Sequence, residues 1–150
     1  MRVVIQRVAQ ASVHIDGTLK CRIGRGMLIL IGIEGSDDEQ DALYLTQKIS
    51  GLRIFADGEG KMNWNLEQVN GECLVVSQFT LHASTKKGSR PSFIRAARPE
   101  VAIPNYELFL SHLSKALNRE IQVGTFGADM QIQLVNDGPV TILIDSKNRE

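Results

Sequence analysis

The sequence predicts an α+β protein: a mainly antiparallel, barrel-like sheet with two main helices, forming a single domain over residues 1–150. Three observations lead there. The strand-like segments come in groups instead of alternating one for one with helices, which argues against a regular parallel sheet. Only two stretches keep a helical apolar period, and each carries a start signal of its own. The composition, 43% apolar and 23% charged, is that of an ordinary globular core and surface.

In chain order, residues 3–9 and 12–16 read as strands, and Asp16 with Gly17 turns the chain into a third strand at 18–23. The apolar run at 27–33 reads as a strand buried on both faces. Ser36 followed by Glu39 matches a helix capping box, a hydroxyl at the N-cap with a carboxylate three residues on. Acids crowd that first turn, where the helix dipole favours them. Ala42, Leu45, Ile49 and Leu52 give this helix its apolar face. Residues 53–56 and 72–79 read as further strands, with Gly58 and Gly60 marking a turn between them. Pro104 suits the first turn of the second helix. Tyr106, Phe109, Leu110, Leu113 and Leu117 supply the stripe it turns to the core. Met130, Ile132 and Leu134 alternate with Gln131 and Gln133 as a half-buried strand, and residues 140–144 make the last one.

The longest apolar run is far shorter than the roughly 20 residues a bilayer crossing needs. The opening MRVVIQRV has no small-residue cleavage site, so a cytoplasmic protein with no membrane contact is expected. Cys21 and Cys73 stand in strand-like segments without CxxC or CxxxH spacing and read as buried free thiols. No two of His14, His82 and His112 have the i, i+4 spacing of a helical metal site, so neither a metal nor a cofactor is expected. The formal net charge is zero, yet residues 73–99 hold five basic side chains (Lys86, Lys87, Arg90, Arg95 and Arg98) and no acid. A dedicated nucleic-acid domain is usually basic throughout. This stretch therefore reads either as a solvated loop or as a local basic rim beside a pocket.

The signatures GxSxG, GxxxxGK[ST] and HExxH are absent. Gly24-Arg25-Gly26 runs on into strand residues and makes no dinucleotide loop. Two polar interruptions of apolar strands remain. In the first, SQFTL at 77–81 follows a buried run. Continued as a strand, it would set Gln78, Thr80 and His82 on one face. That pattern suggests a nucleophile with its base, or simply a polar strand end. In the second, NDGPVT at 136–141, the turn-forming residues read as a hairpin tip. A Gly before Pro adds an open approach to the backbone and a peptide bond that can be cis.

These two segments resemble the two signature motifs of the D-aminoacyl-tRNA deacylase family. The similarity continues through HASTKKGSRPSF after the first motif, the opening MRVVIQRV, GMLILIGI at 26–33 and FGADMQIQL before the second, and so spans essentially the whole chain. The resemblance implies hydrolysis of the ester between a D-amino acid and the 3′-terminal adenosine of tRNA, a proofreading step in translation. Its substrates would be D-aminoacyl-tRNA and glycyl-tRNA. It also implies a homodimer with active sites at the subunit interface, where Gly138 and Pro139 of one subunit, joined by a cis bond, enter the pocket of the other. Ser77, Gln78, Phe79 and Thr80 would line that pocket as the catalytic segment, and Met130 would pack against the substrate side.

Such a mechanism is physically sensible. An apolar pocket discriminates by only about 1–3 kcal/mol per methylene. A rigid backbone wall excludes an L side chain outright and leaves glycine, which has none, acceptable. The ester is already activated. Water activation by the neighbouring tRNA 2′-hydroxyl, with backbone N–H groups around residues 78–80 polarising the carbonyl, competes with Thr80 as a covalent nucleophile. Beside such a pocket, Lys86, Lys87 and Arg90 would meet acceptor-stem phosphates. Arg7, ionised within an apolar strand, would either brace the Gly-Pro loop by donating to its carbonyls or face solvent at an edge. The alternative from a different class is a non-catalytic binding module for the tRNA acceptor end, which the absence of a conventional triad favours.

Overall fold

In a computed structural model, which describes residues 1–149, one long strand organises the fold. This is β1 (Arg2–Ile15), whose buried residues Val3, Ile5, Val8, Ala11 and Val13 alternate with more exposed ones except where the ladder is interrupted. Along one edge its first half pairs antiparallel with β3 (Gly26–Gly32) and its second half with β2 (Thr18–Ile23). Along the other edge β8 (Gln131–Asp145) follows it antiparallel, from Arg2 opposite Asp145 to His14 opposite Gln131. Parallel pairing extends the sheet from β3 to β6 (Glu72–Ser77) and on to β7 (Gln122–Val123). Contacts from β2 back to β6 and β7 curl it into a nearly closed barrel. A small hairpin, β4 (Phe55–Ala56) and β5 (Met62–Trp64), stands apart from this sheet.

The helices α1 (Glu39–Ser50) and α2 (Pro99–Leu117) pack on each other. Leu45 and Ile49 of α1 and Phe109 and Leu113 of α2 join Ile5, Ile29, Ile31 and Val75 of the sheet in the larger core. Val8, Val13, Ile23, Leu28, Leu74 and Val76 fill a second core on the other face. Strand β3 thus supplies both, which is why its sequence is apolar at every position. Each fully buried side chain of this size contributes about 1.5–3 kcal/mol. Cys21 and Cys73 are buried free thiols, and burial pushes the Cys73 thiol up to about 12. No helix among the described residues is long and apolar enough to cross a membrane.

Differences from the sequence reading include β1 and the starts of both helices, and the strands read at 130–134 and 140–144 are one strand, β8. Residues 3–9 and 12–16 form one continuous strand, because Gln10 and Ala11 offer no turn chemistry and β8 pairs across them. The cap of α1 sits two residues later than Ser36. Asp38 is the N-cap, accepting from the N–H groups of Gln40 and Asp41, and Asp41 accepts from the Asp38 N–H in return. Asp37 is engaged elsewhere: its buried carboxylate pairs with the Met1 ammonium, which also donates to Ser146 Oγ at 2.8 Å. Finally, α2 begins at Pro99, and Pro104 lies inside it. Pro99 fills the N-terminal place where a missing N–H costs nothing. Packing of Ala102, Tyr106 and Phe109 carries the helix past Pro104.

Candidate active site

The site begins where β6 ends. Residues 73–76 are buried in the sheet, but after Ser77 the ladder stops and Phe79–His82 forms one turn of 3₁₀ helix. The Gln78 N–H donates to the Ile31 carbonyl at 2.7 Å, which anchors the start of that turn on β3. Gly32 lets the turn lie close: a Cβ there would stand 2.9 Å from Leu81 Cβ and 3.0 Å from the Gln78 carbonyl oxygen. Gln78, Thr80 and His82 therefore share no strand face, contrary to the sequence reading. His82 is buried and neither of its ring nitrogens has a hydrogen-bond partner among the described residues. Thr80 Oγ1 instead accepts from Gln78 Nε2 at 2.5 Å.

Beside this turn lies a cavity of about 300 Å³. Ser77, Gln78 and Phe79 line it from the first motif, Ile132 from the start of β8, and Phe126 and Met130 from the loop before that strand. Its walls are mainly apolar with few polar groups, the usual make-up of a small-molecule site. Asp129 is the one ionisable side chain among the described residues of the lining. Met130 directly precedes β8 and is not part of it. The backbone adds polarity of its own. The N–H groups of Leu81 and Ala83 donate to the carbonyls of Gln78 and Thr80. Those of Phe79 and Thr80, the first donors of the turn, meet no acceptor among the described residues.

The second motif lies elsewhere on the chain. In the β1–β8 ladder Val8 faces Asn136 and Gln6 faces Thr141, so residues 137–140 all stand opposite Arg7 alone. They bulge out of a strand that runs on in the same direction. The expected hairpin tip is thus a bulge, because β1 pairs with β8 on both sides of it. The Gly138-Pro139 peptide bond is cis, and Gly138 has φ +123°. Arg7 sits against the bulge. Its Nε donates to the Asp137 carbonyl at 3.0 Å and lies 3.2 Å from the Asp137 carboxylate, and its Nη1 donates to the Ile54 carbonyl at 2.6 Å.

The structure therefore brings Ser77, Gln78, Phe79 and Met130 to one cavity, with Thr80 attached through Gln78. Gly138 and Pro139 do not line it. Lys86, Lys87 and Arg90 are exposed on a loop closed by a bridge between Ser84 and Ser92. Sequence reasoning missed Phe126 and Asp129 as lining residues. Both belong to the FGADMQIQL segment, so the similarity there was the available signal.

The profile of the family described as D-Tyr-tRNA(Tyr) deacylase matches residues 4–145. The chain belongs to this family. A Porphyromonas gingivalis protein named D-aminoacyl-tRNA deacylase is 63% identical over 150 residues, 100% of both chains. A solved structure of a c-Myc DNA unwinding element binding protein is 40% identical, covers 97% of this chain and 98% of that one, and has a TM-score of 0.90. A structure described as a "probable eukaryotic D-amino acid tRNA deacylase" shares the fold at 18% identity, with a TM-score of 0.81 and 95% and 97% coverage. The D-Tyr-tRNA(Tyr) deacylase match takes in both motif segments, the 3₁₀ turn after β6 and the bulge in β8.

Proposed function

We propose that this chain hydrolyses the ester bond of D-aminoacyl-tRNA, releasing free D-amino acid and tRNA, and that it acts in the same way on glycyl-tRNA. The observation that carries the reading is that Ser77, Gln78 and Phe79 line an apolar cavity at the start of a 3₁₀ turn whose first N–H groups, on Phe79 and Thr80, have no backbone acceptor among the described residues. Donors aimed at a carbonyl oxygen stabilise the charge that develops on it during attack. The Gln78 N–H is committed to Ile31, so the donor pair is narrower than the sequence suggests. Water attacks the ester carbonyl, assisted by the 2′-hydroxyl of the terminal adenosine, and the 3′-oxygen leaves with a proton. Thr80 serves as a hydrogen-bond partner of Gln78; no carboxylate or imidazole among the described residues contacts its hydroxyl to activate it.

Chiral selection belongs to Gly138 and Pro139 in this reading. They stand on a bulge outside their own cavity, which fits a homodimer in which each subunit supplies the wall of the other's pocket. Among the described residues the outer edge of β8 has no partner strand, and Leu134, Val135 and Leu143 are exposed on β8, features that favour a subunit contact. Arg7 acts as a positioning residue for that bulge. Lys86, Lys87 and Arg90 contact acceptor-stem phosphates, and the activity operates in the cytoplasm, where charged tRNA is used.

The test is release of labelled amino acid from matched D-tyrosyl-tRNA and L-tyrosyl-tRNA. Rapid loss of the D ester with the L ester intact is the expected result. Decay of both at the spontaneous rate would leave a non-catalytic module for the acceptor end and overturn the reading.

A further inference from the structure

We propose that Phe93 and Ile94, together with Phe79, form a stacking platform for the unpaired nucleotides that precede the terminal adenosine of the RNA substrate. The proposal rests on the RNA-ester reading above and extends it outward from the cavity. Phe79 belongs to both features: it lines the cavity and meets Phe93 edge-on, with ring centroids 5.1 Å apart and planes at 76°. The two residues are 56% and 38% exposed, and neighbouring Ile94 is 93% exposed. A contiguous group of exposed apolar side chains marks an interaction surface, whereas one alone would not.

The backbone beneath the group is fixed. Ser84 and Ser92 exchange N–H···O bonds of 2.8 and 2.9 Å on one side of it. On the other side Ala96 bridges to Glu34, and Arg95 pairs with Glu34 at 2.8 Å. Residues 93–95 lie between these two clamps, and the apolar pair is displayed to solvent. The loop leading into it is cationic, while Asp129 lines the adjoining cavity. Lys86, Lys87 and Arg90 lie on the loop that the Ser84–Ser92 clamp closes, and no acid occurs between residues 73 and 99. Glu34, which reaches the segment from outside, is occupied by Arg95.

Exposed aromatic surface next to a cationic loop matches single-stranded RNA. Its bases offer flat rings for stacking while its phosphates meet the cations. Stacking tolerates any base, because every base has a π-face. Continuity with the cavity through Phe79 sets the order: the ester enters the cavity and the preceding bases rest outside it.

The experiment compares D-tyrosyl-tRNA with 3′-D-tyrosyl-adenosine, which lacks the preceding nucleotides. The double variant Phe93→Ala, Ile94→Ser is expected to raise KM for the tRNA about tenfold, the scale of lost base stacking. Its kcat and its turnover of the adenosine ester stay unchanged, and Phe93→Tyr keeps the wild-type KM. Equal loss on both substrates overturns the proposal, since Phe93 would then only support Phe79. No loss on either overturns it as well. Binding of a labelled ACCA tetranucleotide gives a readout independent of turnover. Wild type binds it, and the double variant or abasic units in place of the two cytidines weaken binding alike. If wild type binds in this way yet cleaves neither ester, the platform stands and the deacylase reading fails. If the double variant sediments as a monomer while wild type is dimeric, and tetranucleotide binding is unaffected, a second copy covers the patch and the proposal is wrong.

Discussion

Arg7 holds Asp137 in place across the β1–β8 ladder. Its Nε donates to the Asp137 carbonyl at 3.0 Å while the same guanidinium donates to the Ile54 carbonyl at 2.6 Å. Only 13% of the Arg7 side chain is exposed, so these bonds compete little with water. Hydrogen bonds to charged groups contribute about 1.5–3 kcal/mol each. One planar group gripping two separate segments fixes how far residues 137–140 stand out from the strand.

Arg7→Lys tests that relationship. An ammonium keeps the charge and loses the rigid fork, so it cannot hold both carbonyls in the same geometry. We expect kcat/KM on D-tyrosyl-tRNA to fall at least about tenfold, equivalent to about 1.4 kcal/mol, with far-ultraviolet circular dichroism unchanged. A folded variant with the wild-type rate would make Arg7 an ordinary partly buried side chain.

Gly138→Ala attacks the bulge itself. Gly138 has φ +123°, a conformation L side chains rarely adopt, and a Cβ there would stand 2.6 Å from Arg7 Nη2. Arg7 is pinned by its two carbonyl partners and has little freedom to give way. Strain of this kind costs about 1–3 kcal/mol. Thermal unfolding should show a midpoint several degrees lower, together with loss of discrimination between D and L esters. An unchanged midpoint would mean that the bulge relaxes freely.

Thr80→Val separates two chemistries. If the tRNA 2′-hydroxyl assists the attack, removing the Thr80 hydroxyl leaves the rate within about tenfold of wild type, since only the bond from Gln78 is lost. A covalent nucleophile would show a loss beyond about a thousandfold in single-turnover rate.

The loop cations predict a salt effect. Replacing Lys86, Lys87 and Arg90 by alanine should flatten the dependence of log KM on log salt, by roughly 0.7–0.9 for each phosphate contact removed. An unchanged slope would assign these side chains to solvent.

Asp41 predicts a pH effect on stability. Burial alone would raise its pKa, but hydrogen bonds from Lys147, Ser146 and the Asp38 N–H outweigh burial and hold it at about 2, against an ordinary 3.8. A carboxyl depressed in the folded state stabilises it fully above its unfolded pKa, and this is lost as pH falls through the folded value. At neutral pH the shift corresponds to about 2 kcal/mol. Urea unfolding of Asp41→Asn should therefore show a deficit near that size at pH 7, shrinking as pH falls from about 4 toward 2. A deficit independent of pH would assign the effect to the lost helix cap alone.

The helices and most strands are legible because burial writes its period into side-chain polarity, as Leu45 and Ile49 or Phe109 and Leu113 illustrate. The residues of the site are legible too; their arrangement is not. Asn136, Asp137, Gly138 and Pro139 are turn formers in any context, and only pairing with β1 on both sides turns a hairpin into a bulge. Nothing within SQFTL says that the strand stops at Ser77. The stop is set by Ile31 and Gly32 on a neighbouring strand, where a free carbonyl and a missing Cβ admit the 3₁₀ turn. Such information resides in pairs of residues distant in sequence, which a one-dimensional pattern does not record.

The position of β8 beside β1 has a consequence for how the protein is made. β1 is translated long before β8, and its edge along Arg2 to His14 waits for that partner until most of the chain exists. Pairings of such long range close slowly and leave an open strand edge exposed to other chains in the meantime. Arg7 and Asp137 meet only in that last step. A nascent chain can complete its helices and β3 early, yet it acquires the Gly-Pro bulge only when its final strand docks.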